Sequence, residues 1–164
     1  MSLVEKLERL ARLVPGVAGY QDKETSRDTD KSIRLRLASA LEEIKRELEE
    51  DKRQLMKRKE LSLLPTLDRL ASKLDKLGNT VKYASRGYRG VFDTYKLGQQ
   101  KLEQLYAFDL GLLERVESLK TQAEEIRGAH GDAAALEKVS ENLGRSLDQF
   151  EKVFATRQDM LMTR

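Results

Sequence analysis

The sequence predicts an all-α protein, an up-and-down antiparallel bundle of three or four long helices preceded by a short N-terminal helix. Four stretches carry apolar residues every three or four positions with charges between them. The clearest, Ile33, Leu37, Leu41, Ile44, Leu48 and Leu55, can turn to a single side only in an α-helix. Composition agrees: 36% of residues are charged and 5% aromatic, with two prolines and no tryptophan, the usage of long solvated helices rather than of sheet. Disorder is the competing outcome, and the periodic leucines and interspersed charge signs disfavour it. A chain of 164 residues is expected to form one domain around a continuous core.

The elements follow in order. Leu3, Leu7, Leu10 and Val14 form one stripe over residues 2–14, and Pro15-Gly16 stops it. Such a helix packs on the bundle or lies on a membrane surface; its polar face of mixed sign and its lack of aromatics favour packing. Asp22 can cap a second helix that continues through Lys31 toward Glu60, about 55–60 Å long at 1.5 Å per residue. Within it, Glu42 is expected to pair with Arg46 and Glu49 with Arg53. Lys57-Arg58-Lys59 is expected to be a solvated helix end, where cations suit the carbonyl dipoles.

From Leu61 to Ala84, Leu64, Leu67, Leu70, Ala71, Leu74, Leu77 and Val81 mark a buried side. Pro65 belongs in the first turn, and Gly78-Asn79 is the weak point. Residues 83–98 are the least helix-like, holding three of the five tyrosines, one of the four phenylalanines and three glycines, and predict an ordered connection. Helical spacing returns from Gln99 to Arg127 through Leu102, Leu105, Leu112, Leu113, Val116, Leu119 and Ile126. Gly128 to Gly131 ends it, and Asp132 can cap a last helix carrying Leu136, Val139, Leu143, Leu147, Phe150 and Phe154. The single domain thus divides into a short helix and turn (1–21), long helices with the glycine- and tyrosine-rich junction 83–98 (22–127), and a C-terminal helix (132–162).

The formal net charge is +3, but residues 31–100 hold 17 basic against 10 acidic side chains, and residues 101–164 hold 9 against 12. The two parts are expected to attract each other; the alternative is that the basic middle faces a polyanion, nucleic acid or an anionic membrane. Without cysteine there are no disulfides, thiolate metal sites or cysteine nucleophiles. Glu5, Lys6, Glu8, Arg9 and Arg12 interrupt what a signal peptide would keep apolar, and no run approaches the roughly 20 apolar residues of a membrane span. The expected location is cytoplasmic, with the inner face of the membrane as the one alternative.

No catalytic set emerges. His130, the only histidine, is expected to be an exposed loop side chain with Asp132 as its one nearby partner. There is no HExxH, no phosphate-cradling loop, no nucleophile elbow and no Glu-x-x-His pair. No enzyme, cofactor, metal ligand or small-molecule substrate is therefore expected. The candidate contact residues for a partner or anion are Tyr83, Arg86, Tyr88, Arg89, Phe92 and Asp93, a mixture of cations and aromatics that can hold phosphate and stack on a base. The structural alternative is that the tyrosines and Phe92 plug a helix junction, with Tyr106 and Phe108 extending the cluster and the arginines pairing with Asp93 or Asp109.

Val14-Pro-Gly-Val-Ala-Gly-Tyr20 with Lys23-Glu24 and Asp30-Lys31, and Tyr83 through Asp93 with Leu105-Tyr-Ala-Phe-Asp-Leu110, resemble a family of small uncharacterised bacterial helical proteins often encoded beside SPFH (band 7, flotillin-like) membrane-scaffold proteins. The resemblance implies a bacterial cytoplasmic origin and work near a membrane scaffold, and it brings no catalytic residues. The expected function is a non-enzymatic interaction or scaffold module that docks a protein partner, or a second copy of itself, through an exposed helix face or the Tyr83 to Asp93 junction. Peripheral binding to anionic membranes and nucleic-acid binding stay open as the second and third expectations.

Overall fold

The computed structural model describes residues 1–20, 22–84 and 98–162, and among them the regular elements are five α-helices. They are α1 (Leu3–Leu13), α2 (Lys23–Lys57), α3 (Leu64–Tyr83), α4 (Gln99–Gly128) and α5 (Ala133–Met162). Local chemistry sets most of the ends. Ser2 and Glu5 form a reciprocal capping box on α1. Asp22 accepts from Thr25 N at 2.9 Å to start α2, and Asp132 accepts from Ala135 N at 3.1 Å to start α5. Pro65 sits in the first turn of α3, which runs unbroken through Gly78-Asn79 to Tyr83.

The end of α2 has a different origin. Lys59 N donates to Met56 O and Glu60 N to Leu55 O, at 3.0 and 2.9 Å, which closes the helix with a Schellman motif. The motif needs a left-handed residue, and Lys59 supplies it with φ 58°. Glycine usually takes that position because it has no Cβ to crowd the following carbonyl.

α2 packs on α3 and α4, α5 packs on α3 and α4, and α1 lies along α4. The four long helices therefore succeed one another round the bundle as α2, α3, α5, α4. In chain order the long helices alternate in direction, as the sequence predicts, while the spatial neighbours α3 and α5, and α2 and α4, run parallel. α3 and α4 stand diagonally opposite, because two antiparallel hairpins, α2–α3 and α4–α5, lie side by side. Leu10 anchors α1 in the common core with Ile33, Leu37, Leu41, Leu105, Leu112, Leu143, Leu147 and Phe150. No helix among the described residues is long and apolar enough to cross a membrane.

Surface charges follow the expected attraction in part. Arg36 faces Glu117 at 3.9 Å and Lys73 pairs with Asp148, joining the basic middle to the acidic end; Lys120 with Glu43, at 3.1 Å, runs the other way. Glu42 pairs with Arg46 at 3.5 Å as expected. The expected Glu49–Arg53 pair is replaced: Arg53 bonds Glu50 at 2.7 Å and Glu49 bonds Lys52 at 3.0 Å, because i,i+3 partners lie within reach on the same helix face.

Candidate functional site: a buried charge cluster

Two acids and two arginines lie in the core at the end of the bundle where α2 begins, α3 ends, α4 begins and α5 ends. Asp30, Arg34, Asp109 and Arg157 each expose 3% or less of their surface. Burying an unpaired charge is prohibitive, so each must be met. Arg157 Nε donates to Asp109 Oδ1 at 2.6 Å, and its Nη1 stands 2.8 Å from Asp30 Oδ1. Asp30 Oδ2 accepts from Arg34 Nε at 2.7 Å. Arg34 Nη1 then reaches Lys82 O at 2.6 Å and Val81 O at 3.4 Å, closing carbonyls at the C-terminus of α3 that no helical N–H can reach. The cluster is charge-balanced and joins all four long helices.

The segment ahead of α2 completes it. Tyr20 donates its hydroxyl to Asp109 Oδ2 at 2.7 Å and accepts from Arg157 Nη2 at 3.1 Å. Its own N–H donates to the Tyr106 hydroxyl at 3.2 Å, and the two rings lie 5.5 Å apart, tilted by 45°. Thr29 donates to Gly19 O at 2.9 Å and accepts from Ala18 N at 3.2 Å. Gly19 has φ +97°, and a Cβ there would lie 2.8 Å from the Tyr106 hydroxyl oxygen, so both conformation and space require glycine. Burial, and then the Asp109 charge, hold the Tyr20 hydroxyl well above its ordinary pKa, which keeps it a donor. Burial also raises the Asp109 carboxyl, against the opposing pull of Arg157 and the Tyr20 hydrogen bond. Asp30 Oδ1 meets Arg157 Nη1 as an ion pair without hydrogen-bond alignment, and the remaining bonds let the cluster position the surrounding backbone.

A second buried acid lies toward the other end, between α2 and α4. Asp51 is fully buried; its Oδ1 is 3.3 Å from Arg127 Nε and 3.4 Å from His130 Nε2, while Oδ2 has no hydrogen-bond partner among the described residues. His130 was expected to be an exposed loop side chain. Its side chain is instead 5% exposed, because the turn after α4 folds it inward over Asp51, and Nε2 lacks hydrogen-bond alignment to any acceptor among the described residues. Burial, opposed by Arg127 and the His130 charge, raises the Asp51 carboxyl, and burial with nearby Glu124 raises Glu47. Among the described residues no group of three or more His, Asp or Glu is arranged to hold a metal ion.

Of the six contact residues predicted from sequence, Tyr83 is described: it ends α3 with 48% of its surface exposed, and the Lys82 ammonium lies 5.5 Å from its ring centre. Arg86, Tyr88, Arg89, Phe92 and Asp93 lie outside the described residues. Asp109, considered as a partner for those arginines, is engaged by Tyr20 and Arg157, and Tyr106 packs on Tyr20. The periodicity alone passed over the buried charges, yet they stand on the apolar stripes. Asp109 falls between Leu105 and Leu112, Asp51 between Leu48 and Leu55, and Arg157 between Phe154 and Leu161. Comparison with protein-family models, with curated proteins and with solved structures finds no match to this chain.

Proposed function

We propose that the chain is a non-enzymatic interaction module that docks a protein partner at the end of the bundle where α3 stops and α4 starts. The observation that carries this is the buried charge cluster. Arg34 holds the last carbonyls of α3, Asp109 holds α4, and Tyr20 with Arg157 ties both to the N-terminal segment and α5. An end fixed in this way limits the conformational freedom lost on binding and suits a rigid platform. Tyr83 stands exposed on it, and the residues that follow in sequence, Arg86, Tyr88, Arg89 and Phe92, are of the types enriched at protein interfaces. The resemblance of the same segment to proteins encoded beside band 7 scaffolds makes a scaffold of that type the first partner class to test.

The experiment is affinity capture from native lysate with the intact chain and with Tyr83→Ser, Arg86→Ser and Arg89→Ser variants, alongside light scattering for self-association. Capture of a defined partner, or dimer formation, that the variants lose while keeping their helical content and Tm supports the proposal. A strictly monomeric chain that captures no partner overturns it.

A further inference from the structure

The opposite end of the molecule carries a surface of different chemistry. Where α2 ends and the turn to α3 begins, Lys57, Arg58 and Lys59 are exposed and form no ion pair among the described residues. Met56 and Leu61 flank them, each 57% exposed, although both belong to residue types that the core would readily take. Of the acids toward this end, Glu60 accepts from Gly131 N at 3.1 Å, Asp132 accepts from Ala135 N at 3.1 Å, and Glu50, close enough to feel the Lys57 charge, bonds Arg53 and Gln54. The favourable interaction of cations with a helix C-terminus accounts for a basic residue here. It accounts neither for the two exposed aliphatic side chains nor for a lysine in the left-handed position that closes the motif.

We infer that this turn is a docking surface for an anionic lipid bilayer, with Lys57, Arg58 and Lys59 at the phosphate level and Met56 and Leu61 entering the acyl boundary. The charges select an anionic surface, and each cation near such a surface raises binding about fivefold. The apolar pair selects lipid over nucleic acid. Residues 51–66 contain no aromatic side chain on which a base could stack, whereas unbranched and branched aliphatic groups suit acyl chains. The turn lies at one end of the bundle beside the α4–α5 turn, which it meets through the Glu60–Gly131 hydrogen bond. It is also remote from Tyr83, at the far end of α3, so lipid binding and partner capture are separable by mutation.

The test is co-sedimentation of the full chain with phosphatidylcholine vesicles containing or lacking phosphatidylserine. The variants are Lys57→Gln/Arg58→Gln/Lys59→Gln and Met56→Ser/Leu61→Ser, each checked for unchanged helical content. Wild-type protein is expected to bind only when phosphatidylserine is present, the triple variant on the order of a hundredfold more weakly, and the double variant roughly tenfold more weakly. Equal binding to both vesicle types, or a triple variant that binds like wild type, overturns the inference. So does a double variant that binds like wild type, which reduces the effect to non-inserting charge attraction. Salt-dependent binding of nucleic-acid probes through the same three cations, with no vesicle binding, overturns it in favour of a different ligand.

Discussion

Arg157 near the end of α5 donates to Asp109 of α4 at 2.6 Å, and neither side chain is exposed to solvent at all. The pair is one edge of a cluster in which Arg157 also faces Asp30 and the Tyr20 hydroxyl. Replacing Arg157 leaves two carboxylates buried without their shared cation. Arg157→Met is expected to lower stability by about 3–5 kcal/mol in urea denaturation. Arg157→Lys is expected to lose most of the same amount, since one ammonium cannot meet three partners held in a planar fork. Adding Asp109→Asn to Arg157→Met should recover part of the loss, a coupling that a double-mutant cycle measures.

Tyr20→Phe removes the hydroxyl that bridges Asp109 and Arg157 while keeping the ring against Tyr106. The expected loss is about 1–3 kcal/mol, in line with a buried charged acceptor left one donor short. Near-ultraviolet circular dichroism during thermal melting follows it directly.

Asp51 gives a pH signature of definite sign. Burial raises its carboxyl above the ordinary 3.8, so the folded state binds the proton more tightly than the unfolded state does. Its contribution to stability is therefore greatest at low pH and declines as pH rises from the unfolded value through the folded one. Asp51→Asn removes that decline. The variant is expected to melt higher than wild type at neutral pH, with the gap closing as pH falls toward 4 in a series of thermal melts.

Lys59 sits at φ 58° where glycine would be unstrained. Lys59→Gly is expected to stabilise the chain by about 0.5–1 kcal/mol, the relief of left-handed strain less the added freedom of the unfolded chain. Chemical denaturation measures it. The same substitution is expected to weaken binding to phosphatidylserine vesicles, so stability and lipid affinity should move in opposite directions.

The helices were legible because their cores are built from leucine at helical spacing, and the caps Asp22, Pro65 and Asp132 were legible because capping chemistry is local. The burial of Asp30, Arg34, Asp109 and Arg157 was not. Asp30 and Arg34 form an i,i+4 pair of the kind common on solvated helices, and only the arrival of Arg157 from 127 residues beyond Asp30 turns them into core residues. The inward turn of His130 over Asp51 was hidden for the same reason, since its partner lies on another helix. Charges standing in otherwise apolar stripes were the available signal, visible at positions 51, 109 and 157.

The side-by-side arrangement of the two hairpins also shapes how the chain can reach this structure. The described turn residues 58–63 join α2 to α3 and residues 129–132 join α4 to α5, so within each half the chain closes short loops at small entropic expense. The remaining contacts among the four long helices, α2 on α4 and α3 on α5, are between halves and distant in sequence. Asp30 and Arg34 come from the first hairpin and Asp109 and Arg157 from the second, so the cluster is complete only when the halves meet in the correct register. Asp30 pairs with Arg34 and Asp109 with Arg157 inside each half, and the Arg157–Asp30 pair joins the halves, so a slip by one helical turn would break that buried contact and disfavour misaligned dockings that leucine-on-leucine packing alone would tolerate.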